Sequence, residues 1–320
     1  MKAFVSATSF LKPQNAAAKL RLEELFDEVT YNDSGAPLHG STILKHLEGC
    51  DAYIAGLDYI TADVIENMPQ SVRVISRYGV GVDRVDVAAA EKRGIVVTNT
   101  PGANSTAVCE LAFGLMLSVA RNIPALHTAT QKGEWPRYDG IELREKKLGI
   151  VGMGEIGKRL AVRARAFEMS VVAYDPFFDE AFATAHNIQQ VSLDKLFSCC
   201  DVISLHVPLT EETHHMINDE SIAKMKSGVI IINTARGGLI DEKAAVMALE
   251  TGKIRGLGLD AFDQEPLTDS LLKGNPRVIT TPHTGAHTNE AIARMGMMAV
   301  ENAAAVLHGT LCRYVVHSRR

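Results

Sequence analysis

The stretch from Lys147 to Gly157, read together with the residues after it as far as Asp175, constrains this chain more than any other. Leu148 to Val151 is short, apolar and partly β-branched, the pattern of a buried strand. Gly152, Gly154 and Gly157 follow with G-x-G-x-x-G spacing. Ile156, Leu160, Ala164 and Phe167 then recur at steps of three and four, which predicts a helix with one buried face. A second apolar run, Val171 to Tyr174, ends at Asp175. The order is strand, glycine turn, helix, strand, acid. In such a unit the first glycine permits a tight turn, the second lets a pyrophosphate approach the backbone, and the third lets helix and strand pack closely. The helix start, at Glu155 and Ile156, offers free N–H groups and a positive dipole end to phosphates. The segment therefore predicts dinucleotide binding. A glycine turn that only packs would leave Asp175 without a purpose.

A chain of 320 residues is long for one core, so two domains are expected. The net charge of -5 argues against a general binder of nucleic acid or membrane surfaces. No apolar run has the length to span a bilayer, and the start at Met1 runs into a strand pattern, not a signal peptide. The five cysteines lack C-x-x-C spacing and read as reduced cytoplasmic thiols. No Cys/His/Asp cluster has metal spacing, so no metal is expected.

Strand patterns at 2–7, 51–55, 72–76 and 95–98 alternate with helical ones at 14–26, 41–48, 61–67 and 84–93. This alternation predicts a parallel sheet covered on both faces and ending near residue 100. One long helix of small apolar side chains is expected over 104–121, suited to a rigid connector, with a loop at 132–140. The second α/β unit starts at Lys147. Its later strands are expected at 189–191, 202–207, 229–233, 254–259 and 278–281, with helices at 192–199, 219–225 and 241–250. A last helix, 289–308, is expected to return to the first domain and make it discontinuous.

Ligands of an open parallel sheet bind beyond the carboxyl ends of its strands. Arg236, Glu265 and His283 each follow a predicted strand there. An arginine fork matches a carboxylate. A histidine gives and takes a proton near neutral pH, and a carboxylate on its other nitrogen sets the tautomer. The set suits an anionic substrate with a carbonyl to protonate, beside a nicotinamide. His206 and the His214–His215 pair read as packing and surface residues.

The sequence resembles the D-isomer-specific 2-hydroxyacid dehydrogenases, and most closely the phosphoglycerate dehydrogenases. The matching stretches are Arg77 to Asp83, Asn99 to Gly102, Gly149 to Gly157, Asn233 to Gly238, Asp260 to Pro266 and Pro282 to Ala286. The resemblance implies two doubly wound parallel-sheet α/β domains. A Rossmann NAD-binding domain (101–286) would be inserted in a flavodoxin-like substrate domain (1–100 and 287–320), with the active site in the cleft between them. It implies Arg236 as carboxylate anchor, His283 as acid/base, Glu265 as its partner, and backbone N–H groups of Val80 and Gly81 on the substrate carboxylate. Cofactor contacts carry over to Glu155, Ile156, Asp175, Thr234, Asp260 and Gly285, beside the glycines Gly152, Gly154 and Gly157. Arg77, just before the Tyr78–Gly81 turn, is placed to reach an anionic group at the far end of a three-carbon acid. A homodimer is implied, with a small 2-hydroxy or 2-oxo acid as substrate, and no nucleic acid or membrane partner. Only 37 residues follow His283, so no serine-responsive regulatory domain is expected.

NADH is thus expected to reduce C2 of a 2-oxo acid, with His283 protonating the oxygen. A hydroxypyruvate or glyoxylate reductase is the alternative substrate reading. A corepressor-like NAD-sensing protein of the same fold is the alternative of another class. Asp175 should favour NAD over NADP, because a 2′-phosphate would meet its charge.

Overall fold

The computed structural model describes residues 1–318. Arg319 and Arg320, the end of the expected 287–320 segment, lie outside the described residues. In chain order the elements are β1 (Lys2–Val5), α1 (Ala16–Leu25), β2 (Glu28–Tyr31), α2 (Ser41–His46), β3 (Ala52–Ala55), α3 (Ala62–Glu66), β4 (Val74–Arg77), α4 (Val87–Lys92) and β5 (Val96–Thr98). Then come α5 (Ser105–Arg121), α6 (Ile123–Gln131), β6 (Lys147–Val151), α7 (Glu155–Ala166), β7 (Ser170–Tyr174), α8 (Glu180–Ala185), β8 (Gln189–Gln190), α9 (Leu193–Cys199) and β9 (Val202–Leu205). The last are α10 (Asp219–Lys224), β10 (Val229–Asn233), α11 (Glu242–Glu250), β11 (Ile254–Leu259), β12 (Val278–Thr280), α12 (Asn289–Leu307) and β13 (Val315–Val316). They fall into two units, Met1–Asn104 with Ala286–Arg320, and Ser105–Gly285.

The first unit holds the sheet β13-β5-β4-β3-β1-β2. Its five N-terminal strands are parallel, in the order of the flavodoxin-like wound sheet. The sixth departs from the expected all-parallel sheet, since β13 pairs antiparallel with β5 at the edge. One face of this sheet packs Val5, Ile54 and Val74 with Leu22 of α1 and Met295, Ala299 and Val300 of α12. The other packs Phe4, Tyr53 and Ile75 with Ile43, Ile65 and Ala90 of the shorter helices. The last long helix thus shares with α1 the cover of one face of a sheet whose five N-terminal strands all precede it in the chain.

The second unit holds the seven-stranded sheet β12-β11-β10-β9-β6-β7-β8, parallel throughout. The order reverses beside β6, so the crevice of the sheet opens between β6 and β9. All five residues of β10 are buried, as a strand covered on both faces requires. Ile230 and Ile232 point to the layer of α5 and α7, and Ile231 to that of α9 to α11. Each such side chain contributes roughly 1.5–3 kcal/mol by its burial. Among the described residues no single helix is long and apolar enough to cross a membrane. No group of three or more His, Cys, Asp or Glu among them could hold a metal ion.

Candidate active site

The glycine turn shows three different uses of one residue type. Gly152 has φ +98°, and a Cβ there would lie 2.7 Å from the His206 carbonyl oxygen. At Gly157 a Cβ would lie 2.2 Å from the Gly152 carbonyl oxygen, so α7 could not approach β6 with any side chain. Gly154 meets nothing within 4 Å, so the fold itself does not ask for glycine there. It is the N-cap of α7 and gives the helix no side-chain cap, so the first N–H groups at Glu155 and Ile156 remain available to an anion. Asp175, just beyond β7, is pinned by two backbone donors. Met153 N reaches its Oδ2 at 2.6 Å and Phe177 N its Oδ1 at 2.7 Å. Each carboxylate oxygen keeps acceptor capacity beyond those bonds.

Two of the candidate acid/base residues meet directly. His283 Nδ1 lies 2.7 Å from Glu265 Oε1, both side chains being partly buried. Their loops are held by other groups. Phe262 N donates to Glu265 Oε1 at 3.3 Å. His283 takes the left-handed φ of +50°, and its N–H donates to Thr281 O at 2.9 Å. The buried Asp260 carboxylate ties this loop down, accepting from Thr281 Oγ1 at 2.6 Å, Thr284 N at 2.8 Å and Gly285 N at 2.8 Å. Arg236 follows β10 on a turn closed by Asn233, whose side chain accepts from Ala235 N at 3.0 Å and donates to Arg236 O at 2.7 Å. Its Nη1 donates to Ala235 O at 2.7 Å. Gly237 then packs on the next loop, where a Cβ would lie 2.0 Å from the carbonyl carbon of Phe262. Backbone-on-backbone contact therefore brings the Arg236 turn against the loop that carries Glu265.

In the first unit the turn after β4 is equally closed. Tyr78 N donates to Ala55 O at 2.9 Å, and Thr100 N donates to Gly79 O at 3.0 Å. Asn99 Nδ2 donates to Val80 O at 2.8 Å. Arg77 is only 8% exposed, and its Nη1 donates to Tyr78 O at 2.6 Å and to Ala55 O at 3.3 Å.

Comparison with known proteins matches residues 113–285 to the model of the D-isomer specific 2-hydroxyacid dehydrogenase, NAD binding domain. The chain belongs to that family. It is 43% identical over 298 residues to the D-3-phosphoglycerate dehydrogenase of Methanocaldococcus jannaschii, covering 92% of this chain but 57% of that protein. It is 49% identical over 247 residues to the hydroxypyruvate reductase of Thermotoga maritima, covering 76% of this chain and 79% of that one. Among solved structures, the D-lactate dehydrogenase of Aquifex aeolicus, complexed with NAD and lactic acid, superposes with a TM-score of 0.84 at 30% identity over the whole of both chains.

NAD is the cofactor of this dehydrogenase family's binding domain, and the second unit fits it. Beside the uncapped helix start and the open space at Gly154, the Thr234 hydroxyl after β10 is buried with no partner among the described residues, an atom that a ligand would satisfy. Asp260 is different. Expected as a cofactor contact, it also gives three of its acceptor positions to the His283 loop. A Cβ at Gly285 would lie 2.9 Å from that carboxylate.

His206 lies just beyond the end of β9. Its Nε2 is 2.8 Å from Ser204 Oγ, and its Nδ1 is buried without a partner among the described residues. Burial drives its pKa down to about 4, so the ring is neutral at physiological pH. His214 and His215 stack on each other at 3.9 Å between ring centroids. Asn99 and Gly237 stand in two of the matching stretches, but the sequence assigns neither an individual role. The N-T-A-R-G-G run signals the latter only once the loop it touches is known.

Proposed function

We propose that this chain is an NAD-dependent dehydrogenase interconverting a small 2-oxo acid and its D-2-hydroxy acid. The observation that carries the reading is the His283–Glu265 pair at 2.7 Å, set beyond the strand ends of a dinucleotide-binding unit. With Nδ1 on Glu265, His283 keeps Nε2 for the substrate oxygen. Protonated, it gives a proton to the carbonyl oxygen during reduction. Neutral, it accepts the hydroxyl proton during oxidation. Glu265 holds the ring's orientation and balances its positive charge. Bound NADH supplies the hydride to C2. Gly152 to Gly157, Thr234 and Gly285 would hold the cofactor, with Asp175 on a ribose. Arg236 is the proposed anchor of the substrate carboxylate, and the N–H groups of Val80 and Gly81 are proposed substrate donors. On this reading, Ser105–Gly285 is the cofactor domain and the remainder the substrate domain.

For substrate, the M. jannaschii relative supports a phosphoglycerate dehydrogenase-like acid with an anionic distal group read by Arg77. The burial of Arg77 and its bonds to Tyr78 O and Ala55 O favour a second reading, a hydroxypyruvate or glyoxylate reductase in which Arg77 supports the turn. NADH oxidation with phosphohydroxypyruvate, hydroxypyruvate, glyoxylate and pyruvate tests both. Turnover of none would sink the dehydrogenase, and equal turnover of charged and uncharged ends would sink the first substrate reading.

We also propose a cytoplasmic homodimer joined through the nucleotide-binding unit. Free cysteines support the compartment, and the exposed Ile123, Trp135 and Tyr138 on and after α6 support the dimer. Light scattering would show a monomer if the dimer is wrong.

A further inference from the structure

The two peptide units that present the N–H groups of Val80 and Gly81 are each held by their carbonyl. In a trans peptide the C=O and the following N–H lie in one plane and point in opposite directions. Gly79 O shares its plane with the Val80 N–H, and Val80 O shares its plane with the Gly81 N–H. Thr100 N bonds the first carbonyl at 3.0 Å, and Asn99 Nδ2 bonds the second at 2.8 Å. The residues after β5 therefore set the direction of both donors without touching them. Accepting a bond at the carbonyl also polarises the peptide and strengthens its N–H as a donor.

The support continues into α12. The buried Asn302 donates from Nδ2 to Asn99 O at 2.8 Å, across 203 residues of sequence. One turn earlier in the same helix, Ala299 O accepts from Ser76 Oγ at 2.7 Å, and Thr98 Oγ1 donates to that hydroxyl at 3.1 Å. Tyr78 OH donates to Ile292 O at 3.0 Å. The returning helix thus fastens the turn through Tyr78, Ser76 and Asn99.

We propose that Asn99 is a positioning residue for the substrate carboxylate, with Asn302 as its brace. Asn99 aims the Gly81 N–H by holding Val80 O, and Asn302 holds Asn99 on α12. This rests on the proposed role of the Val80 and Gly81 N–H groups. Asn99→Asp is nearly isosteric, but it removes the donor and also adds a negative charge, so Asn302→Ala, which slackens the same bond without adding charge, separates the bond from the charge.

The test uses the full chain with 15N-labelled valine and glycine and with NADH bound. Oxamate, an unreactive 2-oxo acid analogue, is titrated while the Val80 and Gly81 amide shifts are followed. KM for glyoxylate and Kd for NADH are measured alongside. In wild type both amides should move on titration. In Asn99→Asp, KM and the oxamate Kd should rise about tenfold, from the lost bond together with the added charge, and in Asn302→Ala about threefold, as expected for a weakened neutral hydrogen bond, with NADH affinity within twofold in both. A rise in Asn99→Asp with none in Asn302→Ala would assign the effect to charge and overturn the proposal. Wild-type amides that ignore oxamate would overturn the carboxylate reading and the proposal with it. Responsive wild-type amides with an unchanged oxamate Kd in Asn99→Asp would overturn the proposal alone. If Asn99→Asp does not fold, an unchanged oxamate Kd in Asn302→Ala does the same.

Discussion

The two glycine turns of this molecule are built in opposite ways. The nucleotide turn, Gly152–Gly157, belongs to one local strand–helix–strand segment, and its acid, Asp175, lies at the end of that segment. Its tightest contact, Gly157 on Gly152 O, is five residues long. The turn at Tyr78–Gly81 draws on residues after β5 and on α12, more than two hundred residues away. A local turn is specified by its own residue types. A remotely braced turn depends on the assembly of a discontinuous unit, so damage to it should arise far from it in sequence.

The largest effect should come from the glycines that meet backbone. Gly157→Ala places a Cβ 2.2 Å from a carbonyl oxygen that cannot rotate away. It should lose NADH binding and cost about 3 kcal/mol or more of stability. Gly154→Ala sharpens the contrast, because its Cβ meets nothing in the protein. It should melt within about 0.5 kcal/mol of wild type yet weaken NADH binding. Calorimetric melting and NADH titration read both, and equal melting of the two variants would break the distinction between packing and ligand glycines.

Arg236→Ala should lower kcat/KM for the oxo acid by tens to thousands of fold, from a loss of roughly 2–5 kcal/mol when a buried charge loses its partner. NADH affinity should stay near wild type. Arg236→Lys, which keeps the charge but not the fork, should still be impaired. Steady-state kinetics decide this, and a wild-type rate for the alanine variant would remove Arg236 from the site.

Asp175→Ala acts only on the local turn. It should narrow the preference for NAD over NADP by a factor on the order of a hundred, equal to about 3 kcal/mol of charge repulsion removed. Oxo-acid KM should change little. Unequal kcat/KM ratios for the two cofactors that survive the substitution intact would place the selectivity elsewhere.

The smallest effect concerns pH. His206 has a folded pKa of about 4 against an ordinary 6.5, so the unfolded chain takes up a proton that the folded one refuses. Stability should be full above pH 6.5 and fall as pH drops towards 4, by at most about 3 kcal/mol from this group. His206→Gln should flatten that part of the stability curve measured by urea unfolding. An unchanged slope would mean the ring protonates in the native state.

Much of the fold was readable in the sequence, and its failures are instructive. β10 and β11 begin and end where the apolar runs do, since central parallel strands are buried on both faces and their pattern has no competitor. β2 was missed because an edge strand of Glu28–Tyr31 is only partly buried and carries no clear pattern. β13 is a two-residue strand made by its partner β5. α6 was missed because Asn122, in the left-handed region, breaks the helical run after α5 and restarts it in a new direction. At the site, residue types and spacing single out the glycines, Asp175, Arg236, Glu265 and His283 as candidates, because a chemical role would restrict which side chain can stand there. The sequence could not tell that Asp260 spends its carboxylate on the His283 loop, that Arg77 is turned onto backbone carbonyls, or that Asn99 and Asn302 stand behind Val80. Most of those facts are distances between residues well separated in the chain, and even the Arg77 bond to its neighbour Tyr78 depends on how the packed side chain turns. A pattern of residue types carries the period of each element and the chemistry of each side chain, whereas partnership between remote side chains exists only after the sheets and the returning helix have packed.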